Sequence, residues 1–178
     1  SDSLSQKRSD LLNAKLELDS RSKQVIELES IINSQDSMAS SLKKSLSKAL
    51  VGLEGEGLTI EKRNGKLYLS LEEQLLFASG KYKLNKTGVE ALNRLASVLA
   101  SQDELEILVE GHTDSIPYER GQLKDNWDLS VMRATSVVKE LMTNNLLSPS
   151  QFIAAGRGQF LPLKPNITLE GRAANRRI

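Results

Sequence analysis

The amino-acid sequence predicts a two-layer α/β (α+β) sandwich. Its core runs β-α-β-α-β behind an N-terminal β-hairpin, and a long α-helical coiled coil precedes it. Three observations predict this. Residues 1–51 contain no glycine and no proline, so all 11 glycines and all four prolines lie in the remainder. An Asn64-Gly65 pair separates two short stretches with alternating polarity, a strong hairpin signal because both turn positions need positive φ. Beyond it, short apolar runs interleave with helical periodicities, the pattern of helices laid on one sheet.

The first segment carries a seven-residue repeat. Leu4, Leu11, Leu18, Val25, Ile32, Ala39 and Leu46 are all apolar at that spacing. The companion positions Lys7, Ala14, Arg21, Leu28, Gln35, Leu42 and Ala49 are apolar at four of seven. One strong seam and one weak seam predict a long helix that packs against a second copy of the chain or along another helix. At 1.5 Å per residue it extends about 70 Å. Thirteen serines among the first 50 residues lower its intrinsic helix propensity. A partner that covers the apolar seam is therefore expected to stabilise it. The predicted organisation is a helical coiled-coil stalk at 1–51, a Gly-rich hinge at 52–57 and a globular domain at 58–178.

Within the globular part, Leu58-Thr59-Ile60-Glu61 alternates cleanly and Lys66-Leu67-Tyr68-Leu69-Ser70-Leu71 less so, giving a hairpin over 58–71. Val89, Leu92, Leu95, Ala96 and Leu99 recur at helical spacing and predict a helix over 85–101. A strand is expected over 105–111. A helix over 127–144 follows, with Leu129, Met132, Ala134, Val137, Val138 and Leu141 near a helical period. Phe152-Ile153-Ala154-Ala155-Gly156 reads as a short strand, 168–175 as a short helix, and Arg176-Arg177-Ile178 as the start of a final strand.

Composition removes several functions. With 24 basic against 23 acidic residues and a net charge of +1, the chain lacks the basic excess of a nucleic-acid binder. No run approaches the roughly 18 apolar residues of a membrane-spanning helix. There is no cysteine and one histidine, which excludes disulfides, thiol chemistry and a thiolate or multi-histidine metal site within one chain. No cofactor is expected. The start at Ser1-Asp2-Ser3 without methionine or leader predicts a processed or trimmed chain, which leaves room upstream for a signal peptide, a lipid anchor or a membrane helix.

The densest polar stretch runs from Glu110 to Arg133. Glu110-Gly111-His112-Thr113-Asp114 closes a predicted strand, and Asn126-Trp127-Asp128-Leu129-Ser130-Val131-Met132-Arg133 opens a helix capped by Asn126 or Asp128. If strand and helix are neighbours, Asp114 and Arg133 face one small zwitterion: the carboxylate takes an ammonium and the guanidinium a carboxylate. The same spacing also suits a plain pairing of Asp114 with Arg133, or two solvated surface charges.

These residues resemble the OmpA-like (OmpA/MotB) peptidoglycan-binding domain. Val109-Glu110-Gly111-His112-Thr113-Asp114, Asn126-Trp127-Asp128-Leu129-Ser130 and Arg133-Ala134 carry the resemblance. Leu76-Phe77-Ala78-Ser79-Gly80 with Leu84 looks like the family's opening motif. Glu170-Gly171-Arg172-Ala173-Ala174-Asn175-Arg176-Arg177 looks like its closing signature. Together they span about residues 72–178, and the wording Asn-Trp-Asp-Leu-Ser leans to the MotB-like branch. The loop 115–125 departs from the family, with Ile116-Pro117-Tyr118 where many members have a glycine soon after the Asp.

The resemblance implies non-catalytic binding of peptidoglycan, with Asp114 and Arg133 gripping diaminopimelate of the stem peptide. Thr113, Asn126, Leu129 and Ser130 match the family's site-lining positions, although Leu129 suits a core equally well. Arg177 matches the second Arg of the closing signature, near the site or paired structurally with a carboxylate. The implied partners are the stem peptide, a second copy through residues 1–51, and a membrane anchor or membrane partner protein. The implied place is the periplasm or cell envelope of a diderm bacterium. Two other classes remain open. An enzyme built on His112, Asp114 and Ser130 lacks any Gly-x-Ser-x-Gly elbow. An oligomeric coiled-coil scaffold or motor-stator-like component would keep the fold with a structural or conditionally wall-binding domain.

Overall fold

The computed structural model describes residues 2–53, 57–102, 105–143 and 146–178. Helix α1 (Asp2–Ala49) is one continuous 48-residue helix. Strands β1 (Leu58–Arg63) and β2 (Lys66–Leu71) form an antiparallel hairpin with Leu58 opposite Leu71 and Arg63 opposite Lys66. Its turn is Asn64-Gly65, with φ of 50° and 71°. That left-handed pair matches the twist of the strands. Of the expected hinge, Gly52 and Gly57 have φ of 91° and 100°, and residues 54–56 lie outside the described residues.

A one-turn helix α2 (Glu73–Leu76), which the sequence reading lacks, follows β2 directly. Helix α3 (Lys86–Leu99) starts where Asn85 Oδ1 accepts from Gly88 N at 2.7 Å. Strand β3 (Ile107–Gly111), helix α4 (Asn126–Leu141) and strand β4 (Phe152–Gly156) form a β-α-β unit. β3 and β4 are parallel, with Ile107 opposite Phe152 and Gly111 opposite Gly156. A single 3₁₀ turn (Pro149–Gln151) leads into β4. Helix α5 (Leu169–Asn175) is capped by Thr168, whose hydroxyl accepts from Gly171 N at 3.0 Å.

The expected final strand is a narrow splice instead. Arg177 makes single antiparallel bridges to Glu72 on one side and His112 on the other. Ile178 exchanges backbone hydrogen bonds with Leu71 at 2.8 and 2.9 Å. The two two-stranded sheets are thereby joined in the order β1-β2-(Arg176–Ile178)-β3-β4.

One face of this sheet is covered by helices. Leu58, Ile60, Leu71 and Val109 point inward against Leu92, Leu95, Ala96 and Leu99 of α3 and Ala134, Val137, Val138 and Leu141 of α4. Glu61, Tyr68, Leu108 and Ile153 point the other way and are exposed. This is the two-layer arrangement that period-two strands and period-3.6 helices predict. Helix α4 comes unusually close to the strand ends. A Cβ on Gly111 would stand 2.1 Å from the Ser130 carbonyl oxygen, and one on Gly156 would stand 2.4 Å from Ser130 Oγ.

Helix α1 belongs partly to this core. Leu46 and Leu50 are buried in the main cluster, and Leu42 packs against it. Lys62 Nζ on β1 donates to both carboxylate oxygens of Asp36 and to Ser40 Oγ, each at 2.8 Å. Before Asp36 the stripe is bare: Leu4, Leu11, Leu18, Val25 and Ile32 are all more than half exposed. No helix among the described residues is long and apolar enough to cross a membrane.

Candidate functional site

Helix α4 begins one residue earlier than the sequence reading places it. Its cap is Asp125, whose Oδ1 accepts from Asp128 N at 2.9 Å. Asp128 Oδ2 accepts in return from Lys124 N at 2.8 Å, a reciprocal lock of the capping-box kind. This corrects the expected cap at Asn126 or Asp128. Asn126 is freed from capping and bridges the loop: its Nδ2 donates to Ile116 O (2.9 Å), Gln159 Oε1 (2.9 Å) and Asp114 O (3.3 Å).

Asp114 follows the end of β3 and is buried. Its Oδ1 accepts from Ile116 N at 3.0 Å, and its Oδ2 accepts from Arg176 at 2.7 Å. Arg133 lies two turns into α4 and is 2% exposed. It pairs with Glu73 Oε1 and donates through Nε to Lys81 O at 3.0 Å. Its guanidinium carbon stands 5.3 Å from the centre of the Phe77 ring, in cation–π range. Burial pushes the Arg133 pKa down, and the Glu73 charge opposes that shift.

Asp114 and Arg133 are therefore brought into one network without pairing with each other. Arg176 connects them: its Nε is ion-paired with Glu73 Oε2 at 2.6 Å and its other arm donates to Asp114 Oδ2 at 2.7 Å. The charges alternate in the order Arg133, Glu73, Arg176, Asp114. A cleft of about 210 Å³ lies against the middle of this chain, lined by Glu72, Glu73, Gln74, Phe77, Ser79, Ala173 and Arg176. Tyr118, from the loop that departs from the family, donates its hydroxyl to Gly80 O at 2.8 Å, and Gly80 N reaches Glu73 Oε1 at 3.3 Å.

The other expected site residues are placed differently. Thr113 is buried, and its hydroxyl donates to Asp114 O at 3.0 Å. Leu129 is buried on α4. Ser130 is fully buried; its hydroxyl donates to Trp127 O at 2.9 Å and accepts from Gly158 N at 3.1 Å. The hydroxyl donates within α4 and accepts from the segment after β4, so both of its capacities are used. Arg177 donates to the carbonyls of Asn175 and Leu161, each at 3.2 Å; its neighbour Arg176 makes the contact to Asp114. Burial lowers the Arg177 pKa, with Glu110 opposing.

Sequence reasoning missed Glu73 and Arg176. The available signals were an acid set among the apolar residues Leu71, Leu75 and Leu76, and the first arginine of a doublet. His112 has a structural environment. Its Nε2 lies 3.0 Å from Glu110 Oε1, and its Nδ1 is buried with no hydrogen-bond partner. Burial, then the Arg177 charge, push its pKa down to about 4, with Glu110 working against them. The imidazole is neutral at pH 7 and donates to Glu110.

Fold and site together define a class: a small α/β sandwich that encloses opposed charges at a strand end and is fused to a long helix. Residues 76–176 match the OmpA family model, and the chain belongs to the OmpA family. Among its relatives, motility protein B of Bacillus subtilis (strain 168) is 34% identical over 112 residues, covering 63% of this chain and 43% of that protein. The chain spans about half the length of the curated relatives it matches. Among solved structures, a MotB-like protein of Desulfovibrio vulgaris aligns with a TM-score of 0.75 and 27% identity, over 84% of this chain and 90% of that one. The cell wall anchor of the T6SS from Pseudomonas aeruginosa aligns with a TM-score of 0.67 and 28% identity, over 74% and 92%.

Proposed function

We propose that this chain binds cell-wall peptidoglycan without cleaving it, and that Asp114 and Arg133 hold the ammonium and carboxylate of diaminopimelate in the stem peptide. The observation that carries this reading is the enclosure of one fixed carboxylate and one fixed guanidinium, on β3's end and on α4, within a single charge network. Membership of the OmpA family supports it, as does the likeness to a structure described as a cell wall anchor. Asn126 and Thr113 set the conformation of the Asp114 segment, and Leu129 and Ser130 set the position of α4. Arg177 holds the carbonyls of residues 161 and 175. A non-enzymatic role is supported by Ser130, whose hydroxyl is buried and spoken for.

In this proposal the domain over 58–178 is the wall-binding part and the helix of residues 1–51 is the stalk. The exposed seam from Leu4 to Ile32 supports pairing with a second copy. The stalk leads toward a membrane anchor or membrane partner, in the periplasm of a diderm envelope. Two linked copies raise the modest affinity of one site by avidity on an extended wall.

The test is co-sedimentation with insoluble diaminopimelate-type peptidoglycan, run beside Asp114→Ala and Arg133→Ala, each checked for folding. Losing one charged partner is expected to cost about 2–5 kcal/mol, enough to leave both variants in the supernatant. A parent chain that stays in solution sinks the wall-binding reading. The fully paired charges of the site favour a second reading, a scaffold or motor-stator-like component whose domain binds the wall only conditionally. Sedimentation velocity addresses its oligomeric half: a monomer at high micromolar concentration excludes self-pairing through the stalk.

A further inference from the structure

Resting on the assignment of Asp114 and Arg133 as the ligand's two anchors, we infer that Glu73 and Arg176 are an internal stand-in for the ligand, a built-in zwitterion that fills the site until a ligand carrying both charges displaces it. Arg133 and Asp114 are both buried. A buried ion that loses its partner is strongly destabilising, so an empty site needs something to satisfy each of them. Glu73 supplies a carboxylate to Arg133 and Arg176 supplies a cation to Asp114. These two substitutes are themselves paired at 2.6 Å. A carboxylate facing the guanidinium, a cation facing the carboxylate, and a short link between them reproduce the charge order of an amino-acid head group.

The freedom lies in Arg176: its side chain is 35% exposed, whereas those of Arg133, Asp114 and Glu73 are 3%, 8% and 9% exposed. Arg176 and Glu73 line the cleft, and Glu73 is the first residue of a one-turn helix. The long Arg176 side chain swings toward solvent with its charge hydrated, and Glu73 is left with one partner fewer. Two consequences follow. Affinity is lowered by the fraction of time the stand-in occupies the site. A ligand with only one of the two charges displaces half of the stand-in and leaves a buried ion unmatched, so the exchange itself rejects it.

Calorimetric titration with a soluble stem peptide ending in diaminopimelate tests this, beside the same peptide with lysine in that place. The chains are the parent, Glu73→Gln, Arg176→Gln and Arg133→Ala, each with a thermal melt. Weakening the stand-in is expected to tighten diaminopimelate binding by about tenfold, the tax on a site open about one-tenth of the time, and to raise lysine-peptide binding from undetectable. Should Glu73→Gln fail to fold, Arg176→Gln, at the more exposed side chain, carries the test. Unchanged or weaker diaminopimelate binding in a folded variant overturns the inference. If the parent binds and Arg133→Ala does not, the underlying site assignment stands regardless. If no chain binds, or if Arg133→Ala binds as the parent does, both fall.

Discussion

The two ends of helix α1 carry the same seven-residue stripe and live in opposite surroundings. Leu18 is 67% exposed and Leu46 is 2% exposed, although they are four repeats apart on one unbroken helix. A heptad pattern states that a face must be covered; it does not state by what. The far end is exposed in the single chain, while the near end is covered by the chain's own hairpin and α3. The changeover falls where Lys62 clamps Asp36 and Ser40.

The strongest way to break this contrast is to shorten one leucine at each end. Leu46→Ala opens a cavity in the main core and is expected to lower the unfolding free energy by about 2–5 kcal/mol. Leu18→Ala leaves a monomer's unfolding within about 0.5 kcal/mol of the parent, and its effect appears in sedimentation as weakened self-association. Chemical denaturation of both variants under dilute conditions measures the difference. Equal losses at the two positions would mean that the far end is covered within one chain.

Acid sharpens the contrast, because the only histidine lies at the domain end. His112 is held at about 4 against an ordinary value of 6.5, so the unfolded chain takes up its proton first as pH falls. Its contribution to stability is fully present above about 6.5 and is lost progressively between there and about 4. His112→Gln keeps a donor for Glu110 and should flatten the pH dependence of unfolding in that window. A parent and variant with parallel pH profiles would contradict the buried, neutral imidazole. The smallest effect is expected at the changeover itself. Lys62→Ala removes a partly exposed ion pair and should cost about 1 kcal/mol or less. Its mark is faster amide exchange in residues near Asp36, with the domain core unaffected.

Local rules carried the elements well and the site less completely. The Asn64-Gly65 turn was legible because positive φ at two successive positions admits few residues. Helices α3 and α4 and strand β4 followed from spacing alone. The start of α4 slipped by one because Asp125, Asn126 and Asp128 are all good caps, and only the reciprocal hydrogen bonds select Asp125. Strand β3 and the start of α4 put Asp114 and Arg133 near one place. That Glu73 and Arg176 stand between them depends on a contact 60 residues distant in sequence and another 62 distant. No local pattern reports such separations. The choice between Arg176 and Arg177 turns on alternation: successive residues of an extended segment point to opposite faces, so a one-residue slip exchanges the contact to Asp114 for a contact to backbone carbonyls.

The splice at Arg176–Ile178 has a kinetic consequence. Leu71 and His112 find their bridging strand only after more than a hundred and more than sixty further residues respectively have been added. Pairings so distant along the chain are slow to form, since loop closure must precede them. The hairpin and the β-α-β unit can each assemble early, yet the sheet that unites them waits for the same three residues that bring Arg176 to Asp114. Completion of the fold and completion of the charge network thus become one event, and a chain cut before Arg176 loses both together.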